Sequence, residues 1–186
     1  MANMMLRVAV VTETYPPEIN GVAVTISRMV EGLRRRHVVE LIRPRQNQQD
    51  EAKLEFTLQE VLVRGFPVPR YPGLKLGLPA KRTLIKRWTN QRPDVVHIVT
   101  EGPLGSSAVA AARKLGIPVS SDFHTNFHSY SKHYGFGLLQ KIIAGHLRNL
   151  HNRTDTTLVP TQELRDTLAQ DGYQNLQVVA RGVDTT

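Results

Sequence analysis

The chain has 186 residues, a formal net charge of +8 and 40% hydrophobic residues, which suits one globular domain with a substantial core. It contains no cysteine, which excludes a disulfide framework and thiolate metal sites and favours a reducing compartment. No segment approaches the roughly 18 apolar residues of a membrane span, and the N-terminus lacks the pattern of a signal peptide. We therefore expect a cytoplasmic protein.

Short apolar runs rich in β-branched residues predict strands along the chain. These runs cover residues 6–12, 37–43, 56–63, 94–99, 118–123, 156–159 and 176–179. Helices are predicted between them, at residues 22–35, 80–90, 105–115, 138–150 and 161–170. Gly116 follows one helix as a left-handed cap, and Thr161 opens another as its N-cap. Residues 64–79, with four prolines and three glycines, are predicted to be an irregular connection.

The alternation of strands and helices predicts an α/β fold, a Rossmann-like parallel sheet with helices on both faces. Ligands bind beyond the carboxyl ends of the strands in such a sheet. Three predicted loops follow strand ends, at residues 13–21, 100–105 and 123–130. We therefore expect the binding site to form where these loops meet.

The first loop ends at Gly21, directly before a predicted helix. A helix N-terminus presents free N–H groups and partial positive charge, which favours a phosphate, and glycine lets a ligand approach the backbone. The alternative is a plain turn in which Gly21 serves only the backbone angle φ. The loop has neither the G-x-G-x-x-G pattern of nicotinamide and flavin sites nor the Gly-Lys-Ser/Thr of a P-loop.

The other two loops carry polar groups of their own. Glu101 places a carboxylate after a predicted strand, and the third loop contains His124 and His128. A histidine there can bind a sugar hydroxyl or stabilise charge, or it can be merely structural. With His133 the spacings are 4 and 5 residues in a loop without paired carboxylates, so we predict no metal site.

No acidic residue lies between Glu60 and Asp94, which leaves a basic stretch that attracts anions. Its predicted helix carries basic residues and a tryptophan typical of a membrane-surface helix, namely Lys81, Arg82, Lys86 and Trp88. The alternative is a surface helix that packs Leu84 and Trp88 onto the sheet. No motif of a nucleic-acid-binding module is present, so we expect no nucleic-acid partner.

Several ordered motifs resemble glycosyltransferase family 4. They read ETYPPEINGVAVTI, PDVVHIVTEGPLG, DFHTNF, HNRTDTTLVPTQELRDTL and ARGVDT, and together they extend from about Arg7 to the C-terminus. The nearest branch is that of the nucleotide-sugar-dependent α-mannosyltransferases and the sulfoquinovosyldiacylglycerol synthases. The resemblance implies the N-terminal half of a GT-B fold, with residues 1–182 as the acceptor-side domain and residues 183–186 as the start of the hinge to a missing donor-binding domain.

The resemblance also implies a function. The complete protein is expected to move a hexose of mannose or glucose type from a GDP- or UDP-linked sugar, its substrate, to a lipid or glycan acceptor. The anomeric configuration is expected to be retained, without a cofactor or a metal, at the inner face of a membrane with acidic lipid. The 186-residue chain alone is expected to be inactive. The alternative is a standalone module that binds phosphorylated or lipid-linked ligands without catalysis.

The resemblance assigns roles to single residues as well. Gly21 matches the glycine loop that meets the donor diphosphate, together with its neighbours Asn20 and Val22, the last in place of a second glycine found in many members. His124 matches the catalytic histidine beside the transferred sugar, where it stabilises an oxocarbenium-like transition state. The expected acceptor-side residues are Tyr15, Glu18, Glu101 and Thr125.

Overall fold

Strands and helices alternate along the chain. The computed structural model describes residues 4–18, 20–68, 75–124 and 137–180, and the chain divides into two compact units, Met1–Val119 and Ser120–Thr186. The strands are β1 (Arg7–Val11), β2 (Val38–Pro44), β3 (Leu58–Val63), β4 (Gly65–Pro67), β5 (Lys75–Gly77), β6 (Val95–Ile98), β7 (Val119–Asp122), β8 (Thr156–Val159) and β9 (Leu176–Val178). The helices are α1 (Gly21–Leu33), α2 (Lys81–Asn90), α3 (Pro103–Leu115), α4 (Gly137–His151) and α5 (Gln162–Gln170).

In the first unit four strands pair in the order β3-β2-β1-β6, all parallel. Consecutive side chains of a strand point to opposite faces. In β1, Ala9, Val10 and Val11 are all fully buried, so both faces of this strand are covered. This is the pattern of a central strand in an α/β sheet, and the predicted fold class is confirmed.

Helix α1 covers the sheet of the first unit with an apolar stripe. Ala23, Ile26 and Val30 are fully buried, at the spacing that brings side chains to one face of a helix. Ile26 and Val30 share a core cluster with Val10 and Leu41 of the strands. Helix α3 begins with Pro103 and ends at Gly116, whose φ of 62° is left-handed as the sequence predicts.

Helix α2 is held on β2 by a buried carboxylate. Glu40 is fully buried in the middle of β2 and accepts a hydrogen bond of 2.8 Å from the Trp88 indole nitrogen. The Arg87 guanidinium pairs with the second oxygen of the same carboxylate. Leu84 is fully buried one turn before Trp88, so the apolar face of α2 packs inward.

The irregular connection predicted for residues 64–79 is wrong in part. β4 and β5 pair antiparallel, with Gly65 opposite Gly77 and Pro67 opposite Lys75. A Cβ at Gly65 would lie 2.9 Å from the Pro44 side chain, which is closer than real Cβ contacts allow. Gly65 of this segment is therefore needed where β4 approaches Pro44 of β2 closely.

In the second unit β7, β8 and β9 pair in parallel. Its core contains Phe123, Val159, Leu168 and Tyr173, with the Phe123 and Tyr173 rings edge to face at 5.7 Å. Beside it a buried hydroxyl of Ser121 lies 2.9 Å from His151 Nδ1. The predicted N-cap Thr161 accepts a hydrogen bond from the backbone N–H of Leu164, at the start of α5.

We expect Glu40→Ala to lower the free energy of unfolding by about 2 kcal/mol, because the buried indole N–H of Trp88 would lose its acceptor. Urea unfolding followed by Trp88 fluorescence measures the change. Glu55→Ala is the matched control, since the Glu55 carboxylate is exposed and pairs with Arg34 at the surface. An equal loss in both variants would contradict a special role for Glu40.

Candidate functional site

The first two predicted loops meet at the carboxyl ends of β1 and β6. The two strands pair with Val11 opposite Ile98, so the residues that follow them are neighbours. The backbone N–H of Glu13 donates to the Thr100 hydroxyl at 2.8 Å. The backbone N–H of Leu104, in the first turn of α3, donates to Glu13 Oε1 at 2.8 Å. The expectation that these loops converge is confirmed.

Glu13 is a buried carboxyl at the centre of this meeting point. Burial raises its pKa to about 7, and the nearby Glu101 carboxylate also raises it. Hydrogen bonds from the backbone of Leu104 and Gly77 act in the opposite direction. The sequence analysis did not single out Glu13. Two features of the sequence could have pointed to Glu13. It is a carboxylate directly after a buried strand, and α3 begins after Gly102, which has no side chain to cap the helix.

Gly102 is required by the position of Glu13. A Cβ at Gly102 would overlap with the Glu13 carboxyl group. A Cβ at Gly105 would overlap with the carbonyl oxygen of Thr100. The two glycines thus let the start of α3 approach the ends of β1 and β6 closely, which makes the edge compact.

The N-terminus of α1 lies at the end of the first loop. Asn20 is its N-cap, and its side-chain oxygen accepts from the backbone N–H of Ala23 at 2.8 Å. The Asn20 amide nitrogen donates to the Thr14 hydroxyl at 2.7 Å, which fixes the cap to the loop. Asn20 and Gly21 are exposed, and Val22 is partly exposed. These three predicted phosphate-binding residues therefore lie together at an accessible helix N-terminus.

Gly21 needs no special backbone conformation in this structure. Its φ is not positive, whereas those of Gly116 and Gly172 are. No atom lies within 4 Å of the position that a Cβ at Gly21 would take. The alternative reading, a glycine present only for its φ, is therefore wrong. Neither local geometry nor packing within the described part of the chain explains this glycine.

Glu18 is fixed in the loop by hydrogen bonds. Its Oε2 accepts from the Thr14 hydroxyl at 2.5 Å, and its Oε1 accepts from the Gln46 amide at 3.0 Å. Gln46 follows β2 and was not among the predicted site residues. Its side chain links the loop after β1 to the loop after β2, so the site extends further along the sheet edge than the sequence indicated.

Tyr15 lies in the hydrophobic core beneath the loop. Only 8% of it is exposed, and it packs with Ile26 and Val99. The Arg43 guanidinium carbon lies 6.0 Å from the ring centre. Burial raises the pKa of the Tyr15 hydroxyl, and a hydrogen bond with Ser27 partly offsets this. The apolar ring therefore closes the core beneath the loop, and the acceptor contact of Tyr15 stays a prediction.

Three predicted site residues remain, namely Glu101, His124 and Thr125. Glu101 is partly exposed beside the Glu13 carboxyl, and its acceptor contact stays a prediction. His124 belongs to the second unit, where its Nε2 lies 3.2 Å from Asp122 Oδ2. A carboxylate at this distance can orient the imidazole ring. Thr125 lies outside the described residues.

Helix α2 carries the predicted membrane-surface residues. Lys81, Arg82 and Lys86 are exposed, and their contact with an acidic membrane stays a prediction. Trp88 is fully buried against Glu40, so its expected place at a membrane surface is wrong. The alternative packing of Leu84 and Trp88 is the one observed, because the indole finds both an apolar site and a hydrogen-bond acceptor on the sheet.

The described residues contain neither a metal-binding cluster nor a membrane-spanning helix. Within residues 4–18, 20–68, 75–124 and 137–180, no three histidine or carboxylate side chains are grouped so that they could hold a metal ion. Over the same ranges, no helix has both the length and the apolar character needed to cross a membrane.

The raised pKa of Glu13 predicts a pH-dependent stability. The folded chain holds this proton more tightly than the unfolded chain, whose glutamate has a pKa near 4.5. Its contribution is fully present below pH 4.5 and is lost as the pH rises to about 7, by at most about 3 kcal/mol. We expect Glu13→Gln, which keeps an acceptor for Leu104, to remove this part of the pH dependence. Urea unfolding at several pH values, compared with the unsubstituted chain, measures it; parallel curves would contradict the assignment.

The site can now be compared with known proteins. The sequence profile of Glycosyltransferase Family 4 matches residues 19–186. A GDP-mannose-dependent alpha-mannosyltransferase of Mycolicibacterium smegmatis is 32% identical over 184 residues, which are 97% of this chain and 49% of that protein. An alpha-monoglucosyldiacylglycerol synthase of Acholeplasma laidlawii is 30% identical over 172 residues, 87% of this chain and 42% of that protein.

Among solved structures, a sucrose-phosphate synthase from Thermosynechococcus elongatus superposes with a TM-score of 0.67. The match covers 96% of this chain and 49% of that one, at 10% identity, so it shows the fold alone. The chain spans about half the length of the relatives it matches. The family and branch expected from the sequence motifs are confirmed. This chain belongs to glycosyltransferase family 4.

Proposed function

We propose that this chain is the N-terminal, acceptor-side domain of a retaining glycosyltransferase with a GT-B fold. The complete protein moves a hexose of mannose or glucose type from a GDP- or UDP-linked sugar to a lipid or glycan acceptor. Family membership supports the reaction class. The relatives support the substrate classes, since one is named for GDP-mannose and another for a glucosylated diacylglycerol. A second domain supplies most donor contacts, so both halves are needed for transfer.

The observation that carries the proposal is the open N-terminus of α1. Gly21 is exposed there, its φ is not positive, and the space of a Cβ is empty. Gly32 is equally unconstrained, so the openness of Gly21 only leaves room for a ligand. The position of Gly21 at the N-terminus of α1, directly after the loop that follows β1, supports a ligand that comes close to the main chain. The free N–H groups and the helix dipole favour an anion at this point, and we assign it the donor diphosphate.

The other roles follow from the motif positions that these residues occupy. Asn20 holds the helix end rigid, and Val22 limits how closely the phosphates approach. Glu18 and Glu101 face the acceptor side of the same edge. His124, oriented by Asp122, stabilises the positive charge that develops on the transferred sugar in the transition state.

The test is sugar transfer by the complete protein. Labelled GDP-mannose, UDP-glucose and related donors are offered with a lipid extract, and the 186-residue chain is assayed beside it. We expect the complete protein to transfer one sugar and the 186-residue chain to transfer none. If neither transfers from any donor while the short chain binds a phosphorylated ligand, the chain is a binding module and the proposal is wrong.

We expect Gly21→Ala in the complete protein to lower kcat/KM for the donor by about 10- to 100-fold, because the new methyl group occupies the space of the diphosphate. The free energy of unfolding should change by less than about 1 kcal/mol, since no atom surrounds the site. Gly32→Ala is the matched control, because Gly32 lies in the same helix with equally open surroundings. Equal activity of the two variants would remove Gly21 from the donor site.

We expect His124→Ala in the complete protein to lower kcat by about 100-fold or more, through loss of charge stabilisation in the transition state. The KM for the donor should change much less. His146→Ala, in α4 of the same unit, controls for general effects of losing an imidazole. Steady-state kinetics over a range of donor concentrations separate the two parameters, and near-normal turnover would exclude a catalytic role for His124.

A further inference from the structure

A basic cleft lies at the carboxyl ends of β2 and β3, beside the loops already described. Its volume is about 540 Å³. Three of its lining residues are cations, Arg45, Arg64 and Lys75. Among the residues that the structure describes, no carboxylate side chain lines the cleft. Leu62 and Leu78 add apolar surface to the same walls.

The fold brings the three cations together from distant positions. β2 and β3 are parallel with Pro44 opposite Val63, so Arg45 and Arg64, the next residues, leave the sheet side by side. The backbone N–H of Arg45 donates to the Val63 carbonyl at 2.9 Å, which continues the pairing by one residue. Lys75 arrives from β5, whose pairing with β4 returns the chain to this edge.

Arg45 lies near the Asp50 carboxylate, whereas the side chains of Arg64 and Lys75 pair with no carboxylate in the described part of the chain. Arg45 and Lys75 each donate to a backbone carbonyl, of Asp50 and Gln46 respectively, and both keep further N–H donors. The Arg64 side chain is exposed and makes no hydrogen bond or ion pair with any residue that the structure describes.

The nearby carboxylate of Asp50 is already engaged by another residue. It forms a two-pronged pair with the Arg43 guanidinium, at 2.7 and 2.9 Å. These hydrogen bonds hold the pKa of Asp50 below its usual range. Arg43 also pairs with Glu60, and Asp50 interacts with Arg45 as well, so the charges left without a carboxylate in the cleft are those of Arg64 and Lys75.

We infer that this cleft binds the phosphate group of a polyol phosphate ester. Two guanidinium groups and one ammonium offer the charge and the donors that phosphate oxygens need. The volume exceeds that of a phosphate ion and lies in the range of small-molecule sites, so it leaves room for the attached polyol. The ester is either soluble or the headgroup of a phospholipid, and both present the same chemistry.

The cleft adjoins the candidate site through one residue. Gln46 donates from its side chain to Glu18 and accepts from Lys75 with its backbone carbonyl. An ester held in the cleft would therefore extend toward the loop that ends in Gly21. That the ester is the sugar acceptor rests on the proposed function, whereas phosphate binding in the cleft does not.

The test measures binding by the 186-residue chain without any sugar donor. Isothermal titration calorimetry with glycerol 1-phosphate should show binding that weakens about tenfold or more in Arg64→Gln and in Lys75→Gln. Inorganic phosphate should bind more weakly than the ester. Arg35→Gln is the charge-matched control, because Arg35 is exposed before β2 begins, at the opposite edge of the sheet. All variants should keep the unfolding midpoint of the unsubstituted chain.

Three results would overturn the inference. They are no binding of glycerol 1-phosphate at millimolar concentration, an equal loss in Arg35→Gln, or inorganic phosphate binding as tightly as the ester. A second arm uses phosphatidylcholine vesicles with and without phosphatidylglycerol to identify the source. A loss of vesicle binding in Arg64→Gln but not in Arg35→Gln assigns the cleft to a lipid headgroup, and its absence assigns it to a soluble ester.

The results of this experiment can refute the inference without refuting the proposed function, and the reverse. If the complete protein transfers a sugar but the cleft variants bind glycerol 1-phosphate normally, the inference is wrong and the proposed function stands. If no transfer is found but the cleft binds the ester as expected, the inference stands and the proposed function is wrong.

Discussion

The buried carboxyl of Glu13 ties the end of β1 to the start of α3, and the geometry of the candidate site depends on that contact. It accepts the backbone N–H of Leu104, while Gly102 leaves the space that the carboxyl group fills. The end of β1 is therefore fixed relative to the loop after β6. Thr14, Glu18 and Asn20 follow directly in the chain, so the hydrogen bonds that position the N-terminus of α1 build on this anchor.

Buried carboxylates place other elements in the same way. Glu40 holds α2 through Trp88 and Arg87, and Glu60 accepts from Arg43 at 3.0 Å. A buried charge is tolerated only where partners compensate its lost hydration, so each of these contacts defines a position closely. Two arginines are thereby used within the fold. Of these two, only Arg87 belongs to the basic stretch, and Arg64 and Lys75 of the same stretch line the cleft.

The contacts of Glu13 and Glu18 lie at the edge of the sheet formed by the carboxyl ends of its parallel strands. In a sheet of parallel strands, the backbone ends and the helix starts meet at one edge, which is where ligands bind. Here that edge carries an open helix N-terminus at Gly21, fixed carboxylates at Glu13 and Glu18, and a basic cleft beside them. This is the edge to which we assign the donor diphosphate and the acceptor in the proposed function. The arrangement agrees with a domain that presents an acceptor to a nucleotide sugar.

Much of the fold was predictable because its signals are local. The strand cores around Val10 and Leu41 and the helix stripe of Ile26 and Val30 follow from short-range periodicity, and the Gly116 cap follows from the one residue type that readily takes a positive φ. The motif order was also enough for the family. The predicted meeting of the loops after β1 and β6 needed only the rule for parallel strands.

Other features were decided by contacts between residues far apart in the chain. Trp88 and Tyr15 have an apolar body and a polar tip, which suits a membrane surface, a ligand or a core equally, and only Glu40 and Ser27 showed which applied. The roles of Glu13 and of the Arg45, Arg64 and Lys75 cluster likewise depend on strand register and on the return of β5. Local spacing determines which elements form, whereas burial and charge compensation exist only once those elements have packed.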